Sequence, residues 1–153
     1  MTPEILRHSD RPVAVLVSGG LDSAVLVAEA REIRPFVQPI YIRAGTFWEE
    51  AERRHLTRFL EAIRGPRLKP LIELHVPVAD LYGNHWSITG RNVPGAETPD
   101  EAVFLPGRNV LLLAKALLWC HLHQVPELGL GVLGSNPFPD ATPAFFAGFA
   151  ESV

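Results

Sequence analysis

Cysteine is almost missing from this chain: Cys120 stands alone among 153 residues. That excludes an internal disulfide and any zinc cluster built from several thiolates of this sequence, and its place in an apolar stretch points to core packing. An excess of positive charge is missing as well. Fourteen Lys and Arg against 17 Asp and Glu leave a formal net charge of -3, so no global positive field gathers a nucleic-acid backbone, and a nucleic-acid partner is not expected. Long apolar runs are lacking too. The longest, Val110 to Cys120, is broken by Lys115 and falls well short of the roughly 20 residues a membrane span needs. The opening Met-Thr-Pro-Glu has no basic region followed by an apolar stretch, so no signal peptide is read there and the cytoplasm is the expected compartment. What is present, 47% hydrophobic and 20% charged residues, suits one ordinary domain over residues 1–153 that takes a small-molecule substrate, alone or as a homodimer.

Periodicity gives the order of elements. Val13 to Val17 is short, β-branched and wholly apolar, the pattern of a strand buried on both faces of a parallel sheet. Ser23 to Arg31 reads as a helix packed through Ala24, Leu26, Val27 and Ala30. A second strand spans 37–42, broken at its start by Pro39. Thr46 and Glu49 fit a capping box opening a long helix that Gly65-Pro66 ends, with Leu56, Phe59, Leu60 and Ile63 at helical spacing. After a third strand at 71–76, residues 77–106 are too rich in Gly, Asn and Pro for regular structure, and have the length of a lid or binding loop. Asn109 is a good N-cap for a helix to about His123, residues 128–133 supply a fourth strand, and Phe145, Phe146 and Phe149 mark the apolar face of a last helix. This β-α-β-α-β-loop-α-β order predicts an α/β fold: a doubly wound parallel sheet in three layers, α/β/α, Rossmann-like, with ligands beyond the carboxyl ends of the strands where strand order reverses.

At that position stands Ser18-Gly19-Gly20-Leu21-Asp22-Ser23, between the first strand and the first helix. A buried strand running into a helix start offers several backbone N–H donors and the positive end of a helix dipole at one point, which is a place for an anion. Gly19 and Gly20 allow close backbone approach and positive φ, while Ser18 and Ser23 add hydroxyl donors. Asp22 would be repelled by a naked phosphate and reads as an N-cap or as a holder of hydrated Mg2+. The lysine of a Walker loop and the third glycine of a dinucleotide fingerprint are both missing.

These residues resemble the Ser-Gly-Gly-x-Asp-Ser signature of the pyrophosphate-loop ATP hydrolases. The resemblance implies a fold of the adenine nucleotide alpha hydrolase type, ATP and Mg2+ as cofactors, and cleavage between the α and β phosphates. Members usually adenylate a carbonyl or carboxylate oxygen, which ammonia, an amine or sulfur then displaces. It assigns Val17, Ser18, Gly19, Gly20, Leu21, Asp22 and Ser23 to ATP, together with Arg43, which follows the second strand where adenine or ribose commonly sits.

Two later segments narrow the resemblance. Leu105-Pro106-Gly107-Arg108-Asn109 looks like the Pro-Gly-Arg-Asn segment of the 7-cyano-7-deazaguanine synthase family. Physically, Pro106-Gly107 makes a turn exposing Arg108, a cation whose fork suits phosphate or carboxylate. Gly134 to Phe145 is similar to that family's Pro-Asp-Cys-Arg-Pro-Glu-Phe stretch; Pro139, Asp140, Pro143 and Phe145 match, and Ala141, Thr142 and Ala144 replace Cys, Arg and Glu. Asn136 and Asp140 are candidates for substrate contact and equally for local turn hydrogen bonds. The family continues into a cysteine-rich zinc site beyond the residues matched here, so zinc is not expected on this chain. The resemblance implies an ATP-dependent ligase-type enzyme that adenylates 7-carboxy-7-deazaguanine and, with ammonia, gives the nitrile of the queuosine pathway. Asp22 and Arg108 would be its catalytic residues and Asn109 a further ATP contact. Two alternatives stay open: a tRNA-modifying relative of the lysidine-forming or thiolating type, and a nucleotide-binding module without catalysis. No metal ligands are assigned; His121 and His123, two apart on a helix, point to different faces.

Overall fold

The structure is a computed structural model and describes residues 9–134 and 136–152. The N-terminal residues read for a signal peptide, Ser135 of the Gly134 to Phe145 segment, and Val153 lie outside the described residues.

Among the described residues, four strands, β1 (Val13–Leu16), β2 (Val37–Arg43), β3 (Ile72–His75) and β4 (Leu128–Leu130), form an all-parallel sheet in the order β3-β2-β1-β4. The helices are α1 (Leu21–Ile33), α2 (Glu49–Ala62), α3 (Ala79–Tyr82), α4 (Trp86–Thr89), α5 (Arg108–Leu122) and α6 (Pro143–Ala150). Side chains of a strand alternate between faces, and here the alternation separates two cores. Val13, Val15, Val17, Val37 and Tyr41 pack with Leu26, Val27 and Ala30 of α1 and Leu56 of α2. Ala14, Leu16, Ile40 and Ile42 pack with Leu113, Ala116 and Cys120 of α5, and with Phe145, Phe146 and Phe149 of α6. The result is the expected three-layer, Rossmann-like α/β/α arrangement. Cys120 packs as expected, and burial pushes its thiol up to about 11. Leu56 is the one apolar residue of charge-rich α2 that is fully buried, and its transfer from water contributes about 1.5–3 kcal/mol. Among the described residues, no helix is long and apolar enough to cross a membrane.

Several local expectations are corrected. Pro39 does not break β2; it sits fully buried inside the strand, opposite Val15. Val37 exchanges hydrogen bonds with the chain leading to β3, accepting from Lys69 N–H and donating to the Arg67 carbonyl, whereas the Ile40 carbonyl accepts from Val17 on the β1 side. By alternation the missing N–H of Pro39 faces the approach to β3, before pairing begins at Ile40 opposite Ile72. There the Gln38 amide donates to the carbonyls of Pro39 and Pro70, so a side chain supplies what the backbone lacks.

The Thr46–Glu49 capping box does not form either. Trp48 occupies the N-cap of α2 without a side-chain cap, and Glu49 reaches back to Gly45 N–H at 2.8 Å and to Arg43 Nε at 2.8 Å. Asn109 is not an N-cap: Gly107 is, in the left-handed region at φ 74°, and α5 starts at Arg108. The segment 77–106 holds more order than its composition indicates, with α3, α4 and a 3-10 turn at Asp100–Ala102. It is strapped down by Trp86 stacking on Trp48 at 5.3 Å, by the Trp86 indole donating to the Ala102 carbonyl, and by the Tyr82 hydroxyl donating to the Pro106 carbonyl.

Candidate functional site

Strand order reverses at β1, whose neighbours β2 and β4 lead to opposite sides of the sheet, and there the chain leaves β1 through Ser18 to Gly20 into α1. Gly20, extended at φ -86°, is the N-cap of α1 and no side chain caps it, so the N-cap reading of Asp22 is corrected: Asp22 lies exposed in the first turn. The first N–H groups of a helix have no acceptor within it. The loop is braced from inside. Ser18 N–H donates to Ser23 Oγ at 3.3 Å, Ser23 Oγ donates to the Gly20 carbonyl at 3.1 Å, and Gly20 N–H donates to Ser18 Oγ at 3.4 Å.

Two close approaches fix the loop from outside. Gly19 has φ +74°, and a Cβ there would stand 2.4 Å from the backbone carbonyl oxygen of Glu52 in α2. Gly131, just after β4, would place a Cβ 3.1 Å from the backbone carbon of Asp22. Glycine at 19 is needed both for its conformation and for its missing side chain.

In front of the loop is a cleft of about 450 Å³ at the carboxyl ends of β1, β2 and β4. It collects many of the sequence candidates: Val17, Ser18, Asp22 and Ser23 from the loop, Arg108 and Asn109 from the start of α5, and Asn136 from beyond β4. Gly19, Gly20 and Leu21 belong to the same loop; Leu21 is exposed. Arg43 is engaged elsewhere, donating through Nε to Glu49 at 2.8 Å and through Nη2 to Glu50 at 3.0 Å. Asn136 both lines the cleft and makes a local turn, its Oδ1 accepting from Phe138 N–H at 3.0 Å.

Asp140 holds the start of α5 from a distance in sequence. It is buried, its Oδ2 accepts from Asn109 N–H at 3.2 Å, and its carbonyl accepts from Asn109 Nδ2 at 2.9 Å. A carboxylate on a free N–H of the first turn also meets the positive end of the helix dipole. Asp140→Ala should therefore lower the unfolding free energy by about 1–2 kcal/mol, the usual range for a lost cap. Urea unfolding measures it, and a change within experimental error removes this role.

Sequence reasoning missed Tyr41 and Glu52, which face each other across the cleft wall with the Tyr41 hydroxyl donating to Glu52 Oε2 at 2.9 Å. Burial pushes the Glu52 carboxyl above the usual carboxylate range, against the opposing pull of the Tyr41 hydrogen bond and the Arg108 charge. The Tyr41 phenol is driven strongly upward by burial and by the Glu52 charge beside it. Glu49 behaves differently: although burial raises it, the Gly45 N–H and the Arg43 guanidinium hold its carboxyl below the usual range. The segment 77–106 adds Val103 to the cleft, and Phe104 stacks on the cleft residue Phe138 at 4.7 Å. Among the described residues, no group of three or more His, Cys, Asp or Glu is arranged to hold a metal ion.

A reversed-order parallel sheet, a Ser-Gly-Gly-Leu-Asp-Ser loop at its switch point and a Pro-Gly-Arg-Asn turn facing that loop form one constellation. The model of a protein family described as queuosine biosynthesis protein QueC matches residues 12–153. The chain belongs to the QueC family. Its likeness extends to individual members. It is 30% identical over 147 residues to the 7-cyano-7-deazaguanine synthase of Ectopseudomonas mendocina, an alignment covering 92% of this chain and 62% of that protein. It is 33% identical over 150 residues to the 7-cyano-7-deazaguanine synthase of Novosphingobium aromaticivorans, covering 93% and 61%. The chain thus spans about three fifths of the length of the curated relatives it matches. Membership in the QueC family bears out the pyrophosphate-loop resemblance and its narrower branch.

Proposed function

We propose that this QueC-family chain acts in an ATP-dependent synthase of the ligase type. It would adenylate the carboxylate of 7-carboxy-7-deazaguanine and hand the activated carbon to ammonia, giving the amide and AMP. A second ATP would then adenylate the amide oxygen, which leaves on a second AMP as the amide nitrogen loses its protons, giving 7-cyano-7-deazaguanine. The observation that carries the reading is the meeting, in one cleft, of the Ser18 to Ser23 loop and Arg108.

The residues fit ATP. A helix N-terminus with uncapped N–H groups, a glycine that brings backbone close and two hydroxyls suit phosphate oxygens, and about 450 Å³ lies within the ordinary range of small-molecule sites. Mg2+ fits in a limited way. It usually takes one or two carboxylates and completes its shell with phosphate oxygens and water, and exposed Asp22 is placed to supply one such carboxylate. Bound there, the ion would neutralise phosphate charge.

Arg108 would neutralise the charge that grows on the α-phosphate as the carboxylate oxygen attacks, an electrostatic contribution that is often the largest in catalysis. Asp140 and Asn109 fix the turn that presents it. The acceptor heterocycle would lie toward β4, against Asn136 and the flat wall made by Phe138. Incubating the chain with carboxydeazaguanine, ammonia and Mg-ATP should yield AMP, pyrophosphate and the nitrile by mass spectrometry. Formation of neither AMP nor nitrile rejects the proposal, and nucleotide binding without pyrophosphate release points to a binding module instead.

A further inference from the structure

The first turn of α2 carries three carboxylates, and they do not serve the same purpose. Glu49 and Glu50 are engaged by Arg43, and Glu50 also pairs with Arg53. Glu52 instead faces the cleft, where the Tyr41 hydroxyl and the Trp48 side chain donate to it and the Arg108 charge lies near. Burial opposes a charge there, and the Glu52 carboxyl stands above the usual range in spite of these partners, so the site holds an acid poised to take a proton.

Among the described residues, four ionisable side chains line the cleft: Asp22 from α1, Tyr41 from β2, Glu52 from α2 and Arg108 from α5. Arginine does not give up its proton in proteins. Burial and the neighbouring Glu52 charge keep the Tyr41 phenol protonated. Asp22 is exposed in the first turn of α1, where phosphate and Mg2+ would compete for it. Glu52 differs from all three: its own backbone carbonyl abuts Gly19, so its position is locked to the loop, and its carboxylate is fixed by Tyr41.

We infer that Glu52 is the proton acceptor of this cleft in the nitrogen-transfer step, an inference that rests on the ATP-dependent reading above. In that step the nitrogen lone pair forms a bond to the carbon of the acyl adenylate. The carbon–oxygen bond to phosphate breaks, its electron pair leaves on AMP, and one N–H proton passes to the Glu52 carboxylate, which returns it to solvent. The groups facing Glu52 set its proton affinity. Tyr41, Arg108 and the Trp48 side chain favour the ionised form, whereas burial and the Glu49 charge on its own helix oppose it.

The test separates the two chemical steps in single-turnover measurements on the full chain. Without ammonia, the wild type should release one burst of pyrophosphate from ATP and the carboxydeazaguanine. With ammonia, product formation should rise with pH through the titration of Glu52 when the concentration of free ammonia is held constant. Glu52→Gln should keep the burst within about twofold, lose product formation by about 10² to 10⁴-fold and lose the pH limb, the range expected for a missing general base. Tyr41→Phe, which removes a donor that favours the ionised carboxylate, should move the limb to higher pH, a shift that a purely structural role would not cause. Glu52→Gln with unchanged transfer, or with burst and transfer reduced alike, overturns the role of Glu52 alone. A wild type without any burst removes the ATP-dependent reading beneath it.

Discussion

Gly19→Ala should abolish detectable nucleotide binding by calorimetry and lower the unfolding free energy by about 2–4 kcal/mol, the combined scale of left-handed strain and overpacking. The added methyl group would meet the Glu52 carbonyl oxygen at 2.4 Å, and that oxygen belongs to the backbone of α2, so no rotamer change relieves the contact. To make room, the loop must swing away from α2, and the N–H groups that would converge on phosphate then diverge. Gly20→Ala is the matched control. Gly20 has φ -86° and its nearest neighbour to a new Cβ is Ser18 Oγ at 3.4 Å, so the change should cost only the preference for glycine over alanine at an N-cap, about 1 kcal/mol or less. Equal urea midpoints for the two variants would remove the close approach as an explanation.

The second large effect belongs to Arg108. Arg108→Met should slow pyrophosphate formation by about 10² to 10³-fold, the scale seen when one preorganised transition-state donor is removed, while leaving the chain folded. Arg108→Lys should recover little of the loss, because a point charge does not reproduce the planar fork. Rapid-quench measurement of pyrophosphate checks both, and a decrease of less than tenfold in Arg108→Met would take Arg108 out of the chemistry. Asp140→Ala provides a useful contrast, since Asp140 holds Asn109 beside Arg108 and leaves the guanidinium itself in place. It should disturb activity less than Arg108→Met does.

The sheet, its helices and the loop at the switch point were legible because each depends on short-range pattern. Val13 to Val17 alternates between two faces that are both apolar, and Ser18 to Ser23 is contiguous. Pro39 misled because its effect depends on which neighbour its missing N–H faces, and that is set by the register with β3. The supposed capping box misled because Glu49 had a stronger partner in Arg43, on another element. Asp140 caps α5 across 31 positions, a distance at which spacing carries no signal. The same holds for the cleft. Tyr41 looks like an ordinary strand aromatic and Glu52 like one acid among several on a charged helix, and only the packing of α2 against β2 brings them together. Gly131 sits in an apolar run as an unremarkable glycine, yet the start of α1 rests on its bare Cα.

The register of the sheet also bears on how the chain is made. Ala14 of β1 pairs with Leu128 of β4, while β1 and β2 are separated by little more than one helix. With synthesis at about 5–20 residues per second, the first pair of strands can form seconds before β4 emerges from the ribosome. During that interval one flank of β1 is a bare ladder of donors and acceptors, open to pairing with another nascent chain. Arrival of β4 seals that flank and, in the same event, sets Gly131 against the start of α1. Completion of the cleft and protection from misassembly are thereby acquired together.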